Sequence, residues 1–174
     1  MSPVKKLLAL LSIPLLAASL TVATTAAPAH AALDYQGTFT LQTAGGCAQV
    51  QNNGRTAKTP IQLGTCDGSA AQRWAIFKED GSFPRYWILA YGGEQPLNMC
   101  MDKGSQHMWI YNCNGSYHQK WSRADSSFAT AQWIRSEWDV FKCAGFKPGS
   151  STLALRDCLV LNGENAPDWM WQPV

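Results

Sequence analysis

Cysteine and histidine carry most of the reactive chemistry a sequence can offer, and here both are few. Six cysteines occur, Cys47, Cys66, Cys100, Cys113, Cys143 and Cys158. Zinc sites need closely spaced ligands, and the chain has no Cys-x2-Cys and no His-x3-5-His pair. Histidine is limited to His30, His107 and His118. No Gly-x-Ser-x-Gly elbow, His-Glu-x-x-His helix or phosphate loop is present. The carboxylates are scattered, and no pair stands out for glycoside hydrolysis. The expectation is therefore a protein that is not an enzyme and uses no metal or cofactor. An even cysteine count in an exported chain reads as three disulfides.

Export is read from the first residues. Lys5 and Lys6 precede an apolar stretch from Leu7 to Leu20, and Ala29-His30-Ala31 then supplies a small-x-small cleavage pattern. The apolar stretch is shorter than the ~20 residues of a spanning helix. Residues 1–31 are expected to be a secretory signal, with Ala32 as the second choice of cleavage point. No later stretch is apolar enough to cross a bilayer, so no membrane span is expected and the product is secreted. The full chain has 14 Lys and Arg against 12 Asp and Glu. Lys5 and Lys6 leave with the signal, so the remainder is neutral and offers no electrostatic footprint for nucleic acid. Residues 32–174 have the length of one domain.

Those residues repeat. Gln72-Arg73-Trp74, Gln119-Lys120-Trp121 and Trp169-Met170-Trp171 close three segments, of about 35–80, 81–126 and 127–174. Taking Trp171 as the last closing tryptophan, the closers lie 47 and 50 residues apart. Cys66, Cys113 and Cys158 recur at 47 and 45. A shared period near 45 marks repeated supersecondary units. Each unit holds two cysteines, so local pairing follows: Cys47–Cys66, Cys100–Cys113 and Cys143–Cys158.

Each unit must also form short strands. Thr38–Leu41, Cys47–Val50, Pro60–Leu63 and Trp74–Phe77 alternate apolar with polar residues, while Tyr86–Leu89 and Met108–Tyr111 are aromatic and β-branched. Asn- and Gly-rich turns separate them, as at Gln51-Asn52-Asn53-Gly54 and Cys113-Asn114-Gly115. No long window has helical periodicity. Four strands repeated three times point to a closed all-β barrel with hairpin caps.

Recurrent Gln-x-Trp closures in phase with paired cysteines, each followed by a turn such as Asp67-Gly68 or Asn114-Gly115, resemble the ricin-B-type β-trefoil lectins. The resemblance covers about Tyr35 to Val174 and implies an all-β trefoil of three pseudo-symmetric repeats. It also implies that the closing tryptophans Trp74, Trp121 and Trp171 are core, and it marks Trp169 as a departure where glutamine is expected.

Sugar sites in that family use an Asp two residues after the first cysteine, an aromatic residue two before the second, and a polar residue before the closing Gln. The carboxylate accepts hydrogen bonds from neighbouring hydroxyls, and the aromatic face covers the C–H side of a pyranose. In the first repeat these positions hold Gln49, Gly64 and Ala71, and in the third Gly145, Arg156 and Asp168. In the second they hold Asp102, Tyr111 and His118, followed by Gln119, with Trp109 nearby. The resemblance thus implies at most one site, at Asp102, Trp109, Tyr111, His118 and Gln119. Each has a plainer reading: a turn-capping Asp, a half-buried strand Tyr, a loop His and a strand-packing Trp. The implied partner is a galactose-like sugar or a polysaccharide. The alternative partner is another secreted protein, with the chain a protease inhibitor or toxin-complex subunit whose sugar sites have decayed.

Overall fold

Alternating side chains and frequent turns favour mostly short strands, and twelve strands form among the described residues. The computed structural model describes residues 33–125, 132–146, 149–158 and 168–174. The expected signal lies outside the described residues. In chain order the strands are β1 (Leu33–Thr43), β2 (Gly46–Val50), β3 (Thr59–Gly64), β4 (Trp74–Glu79), β5 (Arg85–Tyr91) and β6 (Pro96–Asp102). They continue as β7 (Trp109–Asn112), β8 (Trp121–Asp125), β9 (Gln132–Ser136), β10 (Lys142–Phe146), β11 (Leu153–Asp157) and β12 (Met170–Pro173). Among the described residues no helix is long and apolar enough to cross a membrane.

Antiparallel pairing runs β1–β4, β4–β5, β5–β8 and β8–β9. Closure comes from the Gln132–Trp169 bridge and from β12 on β1, where Leu41 faces Trp171. The remaining strands form three hairpins, β2–β3, β6–β7 and β10–β11. These hairpins meet one another: Ile61 N donates to Met108 O at 3.0 Å, and Met108 N to Leu153 O at 2.7 Å. A six-stranded barrel capped by three hairpins, with four strands per repeat, is the β-trefoil expected from the sequence.

The core repeats with the chain. Leu41, Ile88 and Ile134 are equivalent and fully buried, as are Ile61, Met108 and Leu153. Each repeat adds one fully buried tryptophan whose indole N–H donates to a backbone carbonyl. Trp74 reaches Ala48 O at 3.0 Å, Trp121 reaches Met101 O at 3.1 Å, and Trp169 reaches Ala144 O at 3.0 Å. Satisfying the indole donor lets each large ring be buried without an unpaired polar group.

That pattern corrects the third repeat. Its closing tryptophan is Trp169, not Trp171, and the spacing from Trp121 is then 48 residues. Trp171 is only partly buried, lying edge-on to Phe39 and Tyr86 with the Arg123 guanidinium 4.8 Å from its ring. The glutamine position is therefore Pro167, outside the described residues, rather than Trp169.

Disulfides join Cys47–Cys66, Cys100–Cys113 and Cys143–Cys158, one within each repeat. Closing loops of 13 to 19 residues restricts the unfolded chain by roughly 3 kcal/mol per bridge. Ion pairs tie the repeats together. Glu79 Oε1 accepts from Lys120 Nζ and from Trp87 Nε1, both at 2.7 Å, and Arg85 pairs with Glu137 at 3.2 Å. Burial alone would raise the Glu79 carboxyl, but the bonds from Lys120 and Trp87, with the charges of Lys120 and Arg85, hold it below its ordinary value.

Candidate functional site

The hairpin β6–β7 presents Asp102, Trp109 and Tyr111, and the 3-10 turn Tyr117–Gln119 that follows presents His118 and Gln119. Along β7, Ile110 points into the core, so Trp109 and Tyr111 lie together on the outer face. Across the ladder Asp102 sits opposite Trp109, and Cys100 opposite Tyr111. The connection between the strands is tight at Gly104, whose φ is +59° and whose missing Cβ would collide with His107 O. That turn brings the Gly104 amide within 2.8 Å of Asp102 Oδ1. A side chain at 104 would push the loop off the carboxylate.

Gln119 lies beneath the site and is fully buried. Its Nε2 donates to Asp102 Oδ2 at 3.2 Å and to Asn112 O at 2.9 Å, while its Oε1 accepts from Asn114 N at 2.9 Å. The glutamine therefore holds the carboxylate and also the turn that follows Cys113. Asn114 caps that turn, its Oδ1 accepting from Ser116 N at 3.0 Å. In the first repeat Asp67 does the same for Ser69 N, and this backbone bond holds its carboxyl below the ordinary value. His118 O accepts from Lys103 N at 3.0 Å, which joins the last element of the site to the first.

These contacts enclose an open cleft of about 330 Å³, at the small end for ligand pockets. Asp102, Trp109, Tyr111 and His118 all line it, and Gln119 supports it from below. Three lining residues escaped the sequence reading. Asn114 is read from the sequence only as a turn residue and Ser116 is not singled out, although their place after Cys113 was a usable signal. Lys58 comes from the first repeat, where its N–H donates to Ile110 O at 2.8 Å. Nothing in the local sequence marks it. The bonds from Gly104 and Gln119 use one acceptor position on each Asp102 oxygen, and an ionised carboxylate offers about four in all. Acceptor capacity thus remains toward the cleft. The Trp109 indole N–H is buried without a partner, and the ring meets His107 edge-on at 5.5 Å.

The first repeat shows what happens to the same scaffold without the site. Gln72 repeats the Gln119 pattern, with Nε2 on Gln49 Oε1 at 3.0 Å and on Thr65 O at 2.6 Å, and Oε1 accepting from Asp67 N at 2.9 Å. Gln49 has replaced the carboxylate, and its side chain lies over Gly64, where any Cβ would collide with it. The aromatic platform is gone and the carboxamide fills its place. In the third repeat Gly145 is buried and carries no side chain at the carboxylate position, and Arg156 stands at the platform position. With Trp169 as the closing tryptophan, the polar position moves from Asp168 to Ala166, outside the described residues.

A second cleft, of about 480 Å³, opens in the third repeat between Trp133, Val140, Phe141 and Cys158, with Arg135 and Asp157 at its edge. It is mainly apolar. Asp157 is exposed, and Lys142 holds its carboxyl below the ordinary value through a hydrogen bond at 2.6 Å.

No protein-family profile matches the sequence, and no curated protein does. Solved structures match by shape. A designed three-fold symmetric protein, ThreeFoil, superposes with a TM-score of 0.66 at 15% identity, covering 79% of this chain and 99% of its own. A Polyporus squamosus lectin, solved with the epitope Neu5Acα2-6Galβ1-4GlcNAc, gives 0.58 at 16% identity, covering 79% of this chain and 49% of the lectin. The Haemophilus ducreyi cytolethal distending toxin gives 0.61 at 17% identity, covering 79% and 83%. At such identities the likeness establishes the β-trefoil fold.

Proposed function

We propose that this protein is a secreted, non-catalytic lectin with one carbohydrate site per chain, the cleft of the second repeat, which takes a galactose-like sugar or a polysaccharide bearing one. The contrast between the first two repeats carries the reading. Both keep the buried glutamine and its turn, but in the second that glutamine holds a carboxylate beside two aromatic side chains and an open cleft. Asp102 accepts sugar hydroxyls, Tyr111 and Trp109 cover the C–H face of the ring, and His118 orients it from the side. The three disulfides and the leader-like first residues accord with secretion.

The test is a glycan array followed by calorimetry with the monosaccharide best represented among the hits. The expected stoichiometry is about one, and Asp102→Ala abolishes binding while leaving the thermal transition cooperative. A stoichiometry near three, or full binding by Asp102→Ala, refutes this site. The apolar third-repeat cleft, with exposed Val140 and Phe141 beside it, favours a second reading as a protein-binding trefoil. An array without hits, together with a partner lost on Phe141→Ser, supports that alternative.

A further inference from the structure

The second-repeat cleft, of about 330 Å³, is small, yet an aromatic side chain from another repeat stands beside one of its lining residues. Trp138 lies in the β9–β10 connection and is 58% exposed. Its ring centroid is 4.4 Å from that of the cleft residue His118, and Lys103 Nζ stands 5.3 Å from the ring. More than half of the side chain is therefore open to solvent next to the cleft residue His118.

This tryptophan is held in place. Ser136 Oγ accepts from Trp138 N at 3.2 Å and from Asp139 N at 3.4 Å, and Asp139 Oδ1 accepts from Phe141 N at 3.1 Å. Glu137 N donates to Lys120 O at 3.0 Å, and the Glu137 carboxylate pairs with Arg85. The loop is thereby anchored to the second repeat through both the backbone and the side chain of Glu137. The corresponding connections after β1 and β5 contain Ala44-Gly45 and Gly92-Gly93-Glu94-Gln95, with no aromatic residue. Covering an exposed apolar ring is favourable, and its flat face suits the C–H side of a pyranose. Lys103 contributes ammonium donors over the ring, and His118 an imidazole beside it.

We propose that the ligand is an oligosaccharide, with its first unit over Asp102 and Tyr111 and its next unit stacked on Trp138. The proposal rests on the carbohydrate reading above and adds the length of the ligand to it. Stacking on one further aromatic ring is expected to raise affinity roughly tenfold.

The experiment compares galactose with a β1,4-linked galactotetraose by calorimetry, for wild type, Trp138→Ala, Trp138→Phe and Asp102→Ala. The expected result is that wild type prefers the tetrasaccharide about tenfold, Trp138→Phe keeps most of that preference, and Trp138→Ala binds both probes alike at the galactose affinity. Unchanged preference in Trp138→Ala overturns the stacking site while leaving the primary site intact. Equal binding of both probes by wild type overturns it as well. Undiminished galactose binding by Asp102→Ala, or no binding of either probe by wild type, overturns the underlying carbohydrate reading and this proposal with it.

Discussion

Gln119→Ala separates what a buried glutamine does for the fold from what it does for the site, provided Gln72→Ala is measured beside it. Gln119 makes two bonds to neutral backbone groups and one to the Asp102 carboxylate. At about 1 kcal/mol for each neutral bond and about 2 for the charged one, its loss costs roughly 4 kcal/mol. Gln72 makes four bonds, to Gln49, Thr65 O, Asp67 N and Gly68 N, all with neutral groups. Its loss costs a similar ~4 kcal/mol. Domains of this kind have a total stability of about 5–15 kcal/mol, so both variants remain folded but less stable. With urea m-values of about 1–3 kcal/mol/M, each midpoint falls by around 2 M in the oxidised protein. Sugar binding then divides them. Gln72→Ala binds as wild type does, because the first repeat has no open site. Gln119→Ala loses binding, because Asp102 keeps only the bond from Gly104 N and its second oxygen is no longer held. Equal binding by both variants, or a Gln119→Ala midpoint shift below about 0.5 M, refutes the assignment of Gln119 as the residue that positions the carboxylate.

Three further outcomes follow from the packing. Trp169→Ala costs about 3–5 kcal/mol, the usual range for a buried aromatic, and Trp171→Ala less than half of that; equal denaturation midpoints would restore Trp171 as the core residue. Replacing Cys100 and Cys113 together by serine lowers stability by about 3 kcal/mol, and non-reducing peptide maps of this variant retain the Cys47–Cys66 and Cys143–Cys158 bridges. Glu79 has its carboxyl held below the ordinary value, so its contribution is complete above the unfolded pKa of about 4.3 and is lost as pH falls through the lower folded value. Glu79→Gln is accordingly less stable than wild type at neutral pH by about 1–3 kcal/mol, and urea midpoints taken from pH 6 down to 2 converge; a gap that stays constant across that range refutes the linkage.

What the amino-acid sequence determined by itself is the part encoded locally. Cysteine phase and strand alternation act between near neighbours, so three four-stranded repeats, each with its own disulfide, are legible in the sequence. The second repeat stood out through the resemblance to ricin-B-type lectins, which gives meaning to the residues two positions from each cysteine; there Asp102 and Tyr111 fit, whereas Gln49 and Gly64 do not. The choice between Trp169 and Trp171 could not be made that way. Residues two apart on a strand project to the same face, and only depth within the barrel, with the bond to Ala144 O, distinguishes them. Nor could the sequence reveal that Gln49 folds over Gly64 to fill the first site, because that depends on a rotamer chosen by Gln72, 23 residues away. Lys58 lines the second-repeat cleft from the first repeat, and Trp138 packs on its residue His118 from the third, across separations no local pattern records. Tertiary structure decided these, because barrel closure brings the edges of the three repeats together and makes each site a property of its neighbours as well as of its own hairpin.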